Sequence, residues 1–110
     1  MKTIIKNALI VNEGKTFKGS VLINDEIIDL VSAENINSHA ENVIDAEGLL
    51  LIPGVIDDQV HFREPGLTHK GEIYTESKSG IAGGVTSFME MPNTVPQTVT
   101  VQLLEEKYKR

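Results

Sequence analysis

The sequence contains no cysteine in its 110 residues. Disulfide frameworks, thiolate metal sites and cysteine nucleophiles are therefore excluded, and a reducing compartment suits the chain. Positive charge is scarce: ten Lys and Arg face sixteen Asp and Glu, a net charge of -6. A partner held through phosphate contacts is excluded on that balance, so no nucleic acid is expected. No apolar run approaches the roughly 18 residues of a membrane span, and no membrane partner is expected. The stretch from Met1 to Lys6 has no long apolar region and no small-residue cleavage site, so no secretory signal is read there. A cytoplasmic protein is the expectation. Internal repeats and low-complexity segments are absent.

What is present is the balance of a folded chain, with 40% hydrophobic and 24% charged residues. The length suits one small domain, which buries about 65% of its unfolded surface. Two unequal pieces are read. Residues 1–52 look all-β. Ile4-Ile5 and Ala8 to Val11 are short β-prone runs that Asn12-Glu13-Gly14 interrupts. Val21 to Ile23 and Ile27 to Val31 flank Asn24-Asp25-Glu26 as a hairpin. Ala33 to Asn42 reads as loop, and Val43-Ile44 and Leu49 to Ile52 as further strands.

Residues 53–110 change character. Val55 to Phe62 reads as a strand with a near-continuous apolar start, the pattern of burial on both faces. Arg63 to Gly71 is a polar loop. Glu72 to Ala82 reads as a helix, with Ile73, Ser77 and Ile81 on one face. Gly83-Gly84 stops it, Val85 to Met89 is a second strand, and Pro92 ends that strand. Val99 to Arg110 is a second helix, capped by Thr98 or Thr100, with Val101, Leu104 and Tyr108 on one side. Strand, helix and strand together predict a parallel pair with a crossover.

Strict alternation along the strand places Asp57, Gln59, His61 and Arg63 on one side. His61 offers an imidazole, a common metal ligand. Gln59, two residues earlier, is an amide and a weaker zinc ligand. Arg63 presents a planar fork suited to a carboxylate. Each has a plainer explanation: a hydrogen-bonded structural histidine, a surface charge, and Asn93 as a turn former after Pro92. Asp57 and Asp58 fit a solvated strand end, His39 and His69 face solvent, and Glu105-Glu106 form an exposed helix face. By strict alternation Asp58 points away from the other side chains and is left unexplained.

The run Asp45-Ala46-Glu47-Gly48-Leu49-Leu50-Leu51-Ile52-Pro53-Gly54-Val55-Ile56-Asp57 resembles the entry into the barrel of the amidohydrolase superfamily. Gln59-Val60-His61-Phe62-Arg63-Glu64-Pro65-Gly66 resembles the His-x-His-x-Arg-Glu-Pro-Gly signature of dihydroorotases. Gly83-Gly84-Val85-Thr86 and Met91-Pro92-Asn93-Thr94 are similar to that family's next strand and substrate loop. The resemblance covers the chain in order. It implies an α/β fold: part of a small β-sandwich over residues 1–52, then the first β/α units of a TIM-type (β/α)8 hydrolase barrel over residues 53–110, incomplete in this chain. It implies reversible hydrolysis of the cyclic amide of dihydroorotate to N-carbamoyl-L-aspartate in pyrimidine biosynthesis, with one or two zinc ions. It assigns His61 as a metal ligand, and Arg63 and Asn93 to the substrate carboxylate. A homodimer or a complex with aspartate transcarbamoylase is the protein partner it suggests.

The sequence departs from the signature at Gln59, where the family's first metal-binding histidine usually stands. That substitution weakens or removes one metal ligand. It keeps open a metal-free homologue that supports aspartate transcarbamoylase by binding it. An allantoinase-like or dihydropyrimidinase-like hydrolase is the other alternative, and Arg63 argues against it. The family's catalytic residues fall beyond residue 110, so these residues alone are expected to be inactive.

Overall fold

A computed structural model describes all 110 residues, which divide into two compact units, Met1–Pro53 and Gly54–Arg110. The first unit is all β. Strand β1 (Lys2–Asn12) turns through Glu13 and Gly14 into β2 (Lys15–Asn24), and β3 (Ile27–Ser32) follows across a second tight turn. Two short strands, β4 (Asn42–Asp45) and β5 (Leu50–Leu51), lie parallel along the other edge of β1. The strand order is β3-β2-β1-β4, with β5 also on β1.

The two β-prone runs expected at Ile4-Ile5 and Ala8 to Val11 are one strand carrying a bulge. Ile5 pairs with Val21 and Ala8 with Gly19, so Lys6 and Asn7 together face a single partner residue. The bulge resets the two-residue alternation. Ile5 before it and Ala8 and Ile10 after it fall on one face, where Ala8, Ile10, Val21 and Ala46 form the buried cluster. Ile5, Phe17, Ile23 and Leu51 pack around them. Leu49 to Ile52 is likewise shorter than expected, with only Leu50 and Leu51 in the ladder. Strand β2 begins six residues before Val21, because Lys15 to Gly19, mostly polar or small apart from Phe17, pair with β1.

Asn7 has φ 62°, a left-handed conformation that Asn tolerates better than most residues. Its amide donates to Asp45 Oδ1 at 2.9 Å, tying the bulge to the end of β4. This amide, and next the Glu47 backbone N–H, holds the Asp45 carboxyl below its ordinary range. A depressed folded pKa contributes stability above the ordinary carboxylate range, lost as pH falls through the depressed value. Asn7→Gly keeps the backbone and removes the amide. Its Asp45 titration midpoint, followed by NMR, should rise toward the ordinary value. Asn7→Val should instead lose about 1–2 kcal/mol in denaturant melts, because a β-branched residue resists that backbone. Equal stability of Asn7→Val and wild type would rule out the bulge as drawn.

In the second unit β6 (Val55–Val60) and β7 (Val85–Glu90) form a parallel pair, connected by a 3-10 turn at Thr68–Lys70 and helix α1 (Ile73–Ala82). Helix α2 (Val101–Tyr108) follows. The first helix starts one residue after the expected Glu72. The second is shorter than Val99 to Arg110, and Thr100 caps it by accepting from Leu103 N–H at 3.3 Å. The expected apolar stripe of α2 is not buried: Val101 and Tyr108 are 77% and 80% exposed. Val55 and Ile56 are exposed as well, so the apolar start of β6 is not covered on both faces in this chain.

The anchor of α2 is Lys107, whose ammonium lies 2.5 Å from Glu90 Oε2, both side chains about nine-tenths buried. Glu90 Oε1 has no partner. Neither residue is apolar, and periodicity gave no hint of the pair. Removing one member of a buried pair strands the other charge, at a cost of about 3–5 kcal/mol. Lys107→Met should therefore lower the urea midpoint sharply. The double change Lys107→Met, Glu90→Leu should recover most of the loss. A double variant no better than the single would show that the charge is not what matters.

Candidate functional site

The β6–β7 ladder has two irregularities. Val55 pairs with Val85 and Ile56 with Ser87, and then Asp57 pairs with Phe88 and Val60 with Glu90. The second is a bulge on β6: Asp58 and Gln59 together oppose Met89. Asp57 Oδ1 accepts the Gln59 N–H at 3.1 Å and so occupies a donor that the broken ladder releases. The bulge overturns the expectation that Asp57, Gln59, His61 and Arg63 share one side. Asp57, Val60 and Phe62 instead line one groove with Phe88 beneath α1. The Phe62 and Phe88 rings meet edge to face at 4.6 Å. From Gln59 onward alternation resumes, so Gln59 and His61 take the face opposite Val60. Asp58 sits in the bulge, exposed, where the alternation argument for it does not apply.

Beyond Val60 the pairing continues for one more bond: Met91 N–H donates to the Val60 carbonyl at 2.9 Å. The chain segments leaving both strands therefore emerge side by side at the carboxyl end of a parallel pair, where α/β folds place ligands. His61 and Asn93 meet there, with Nδ1 3.0 Å from the Asn93 Oδ1. Arg63 does not continue the strand. Its φ of 68° turns the chain, and its carbonyl accepts the Leu67 N–H at 3.0 Å. A left-handed arginine carries about 1–2 kcal/mol of backbone strain, and such strain concentrates at functional positions. The Arg63 guanidinium belongs to none of the ion pairs in the chain.

Three residues not singled out as site residues hold this arrangement. Glu64 accepts the Ile73 N–H at 3.0 Å, placing a carboxylate at the start of α1 where the helix dipole favours it. Thr94, only 2% exposed, bonds the Pro96 carbonyl at 2.8 Å and Thr98 Oγ1 at 2.9 Å, closing the loop after Asn93. Gly66 (φ 86°) lies so close to the same loop that a Cβ there would sit 2.2 Å from the Val95 carbonyl oxygen. The Val95 N–H donates to the Pro65 carbonyl at 3.0 Å. The sequence placed Glu64 and Gly66 in a polar loop and in the signature resemblance, and Thr94 in the Met91-Pro92-Asn93-Thr94 match, without assigning them a role. Thr94 finds its partners within four residues, whereas Glu64 bonds nine residues on and Pro65 and Gly66 meet Val95 across some thirty positions, beyond any local pattern.

His61 Nε2 makes no hydrogen bond within the chain, and its chemistry fits one zinc ligand. Gln59 adds a weak amide donor at most. No group of three or more His, Cys, Asp or Glu in the chain is close enough to hold a metal ion. Gly66→Ala should separate the two loops, through the clash and the positive φ together. The Val95 amide should then lose protection from hydrogen exchange while Ile4 and Ala8 amides keep theirs. Unchanged Val95 protection would contradict this packing.

No protein-family model matches the chain. The dihydroorotase of Carboxydothermus hydrogenoformans is 49% identical over 98 residues, covering 87% of this chain and 23% of that protein. The dihydroorotase of Lactobacillus acidophilus is 38% identical over 110 residues, covering 100% of this chain and 25% of that protein. Among solved structures, the L-hydantoinase (dihydropyrimidinase) from Arthrobacter aurescens matches with a TM-score of 0.91 at 33% identity, over 97% of this chain and 24% of that chain. The chain thus spans about a quarter of the length of the curated relatives it matches.

Proposed function

The chain belongs to the dihydroorotase group of the amidohydrolase superfamily, and we propose on that footing that the whole protein opens and closes the cyclic amide of dihydroorotate. Its two units are the N-terminal β portion and the opening β/α elements of the TIM-type barrel in that superfamily. In the hydrolytic direction water adds to the ring amide carbon and the carbon–nitrogen bond breaks. The nitrogen takes a proton, and N-carbamoyl-L-aspartate leaves. The reverse reaction belongs to pyrimidine biosynthesis, in the cytoplasm. One or two zinc ions would activate the water and polarise the carbonyl.

The observation that carries this reading is the His61–Asn93 contact at the carboxyl end of the parallel pair, with Arg63, which joins none of the chain's ion pairs, two residues further on. His61 would hold zinc through Nε2. Arg63 would grip the substrate carboxylate with two parallel N–H donors, a geometry that lysine does not reproduce. Asn93 would add its amide donors to the same carboxylate. Gln59 favours a second reading, in which the protein binds little or no metal and supports aspartate transcarbamoylase as a structural partner. Zinc content of the whole protein, read beside its dihydroorotase rate, separates the two.

In the whole enzyme, dihydroorotate should be turned over in preference to dihydrouracil, hydantoin and allantoin. Preference for a ring without a carboxylate would overturn the assignment. Arg63→Met should remove about 1.5–3 kcal/mol of charged hydrogen bonding. That corresponds to a fall in kcat/KM for dihydroorotate of roughly 10- to 150-fold. Arg63→Lys should recover little of it, and a full recovery would show that charge alone suffices.

A further inference from the structure

We infer that Asn93 is a positioning residue that holds the His61 ring with its proton on Nδ1 and a free lone pair on Nε2. An amide oxygen only accepts hydrogen bonds. With Asn93 Oδ1 at 3.0 Å, Nδ1 must be the donor. In a neutral imidazole the other nitrogen then carries the lone pair. The contact spans 32 positions in the chain, so it exists only because the β6–β7 pairing brings the two strand exits together. Asn93 is itself held in place. Met91 N–H is bonded to the Val60 carbonyl on one side, and on the other Thr94 is buried and bonded to Pro96 and Thr98.

The lock has a direct consequence for ligand chemistry. A ring with the opposite tautomer would present an N–H at Nε2 and repel a cation there. The Asn93 contact removes that state before any ligand arrives, in the way a partner on the second ring nitrogen fixes a metal-binding histidine. It spends only the oxygen half of the amide. Both Nδ2 donors stay available to an acceptor. The value of the lock for catalysis rests on the proposed function, but the tautomer itself does not.

The test is nitrogen NMR of the assigned His61 ring in the whole protein stripped of metal, at a pH well above the ordinary imidazole range. Wild type should show a protonated Nδ1 and an unprotonated Nε2, and Asn93→Ala should shift the ratio toward a protonated Nε2. Asn93→Asp retains an accepting oxygen and should keep the wild-type pattern, as a merely space-filling role would not require. A protonated Nε2 in wild type overturns the inference without reference to any variant. So does a pattern unchanged in Asn93→Ala. If the tautomer is as stated and the whole enzyme does not act on dihydroorotate, only the proposed function falls.

Discussion

The site depends on one backbone bond, from the Met91 N–H to the Val60 carbonyl. It lies just past the end of both strands and converts a parallel pairing into a shared exit. Without it the segments after β6 and β7 would diverge at the point where His61 and Asn93 must meet. A parallel ladder is evenly spaced but slanted and somewhat weaker per residue than an antiparallel one. The loops beyond reinforce it in series: the Val95 N–H on Pro65, the close approach of Gly66, and the buried hydroxyl of Thr94. Glu64 then ties the same loop to the first turn of α1. The residues after each strand are thus held from both directions, which fixes side chains that are individually exposed or half-buried.

Bulges decide which face each side chain takes, in both units. At Lys6-Asn7 the extra residue lets Ile5 join Ala8 and Ile10 in one core. At Asp58-Gln59 it sends Asp57 toward the helix and leaves Gln59 and His61 on the other side. Polar side chains satisfy the backbone or neighbouring groups at each: Asn7 bonds Asp45, and Asp57 bonds the Gln59 N–H. A period-two reading cannot anticipate a phase change, because the pattern on either side of a bulge is normal. Two runs separated by a gap therefore look like two strands, as Ile4-Ile5 and Ala8 to Val11 do.

What was legible was local. Thr100 as a cap, Gly83-Gly84 as a helix stop, the hairpin at Asn24-Asp25-Glu26 and the strand at Val85 all follow from short-range preferences. The motif residues were found by their resemblance, and their geometry was not. The contact of His61 with Asn93, the Glu90–Lys107 pair and the left-handed backbone of Arg63 depend on chain segments that meet only after folding. Burial was the least legible property. The sequence reads Val55, Ile56 and Val101 as core, and in this chain they face outward. Hydrophobicity says that a residue can be buried and does not say what covers it.

The substitution at position 59 weighs differently once the geometry is known. Zinc sites draw on nitrogen, sulfur and carboxylate donors, so an amide in place of an imidazole would weaken the hold of β6 on the proposed ion. If His61 holds zinc as proposed, it would have to present the correct nitrogen without help from a neighbouring imidazole on β6. In its inferred role the Asn93 contact, 3.0 Å from Nδ1, would meet that requirement by fixing the ring before binding. Arg63 answers a separate requirement. Its planar fork of donors suits a carboxylate, so in the proposed reaction it would hold an anionic substrate group independently of the metal. Under the proposed function, Gln59 would therefore bear on how tightly zinc is held more than on which substrate is recognised.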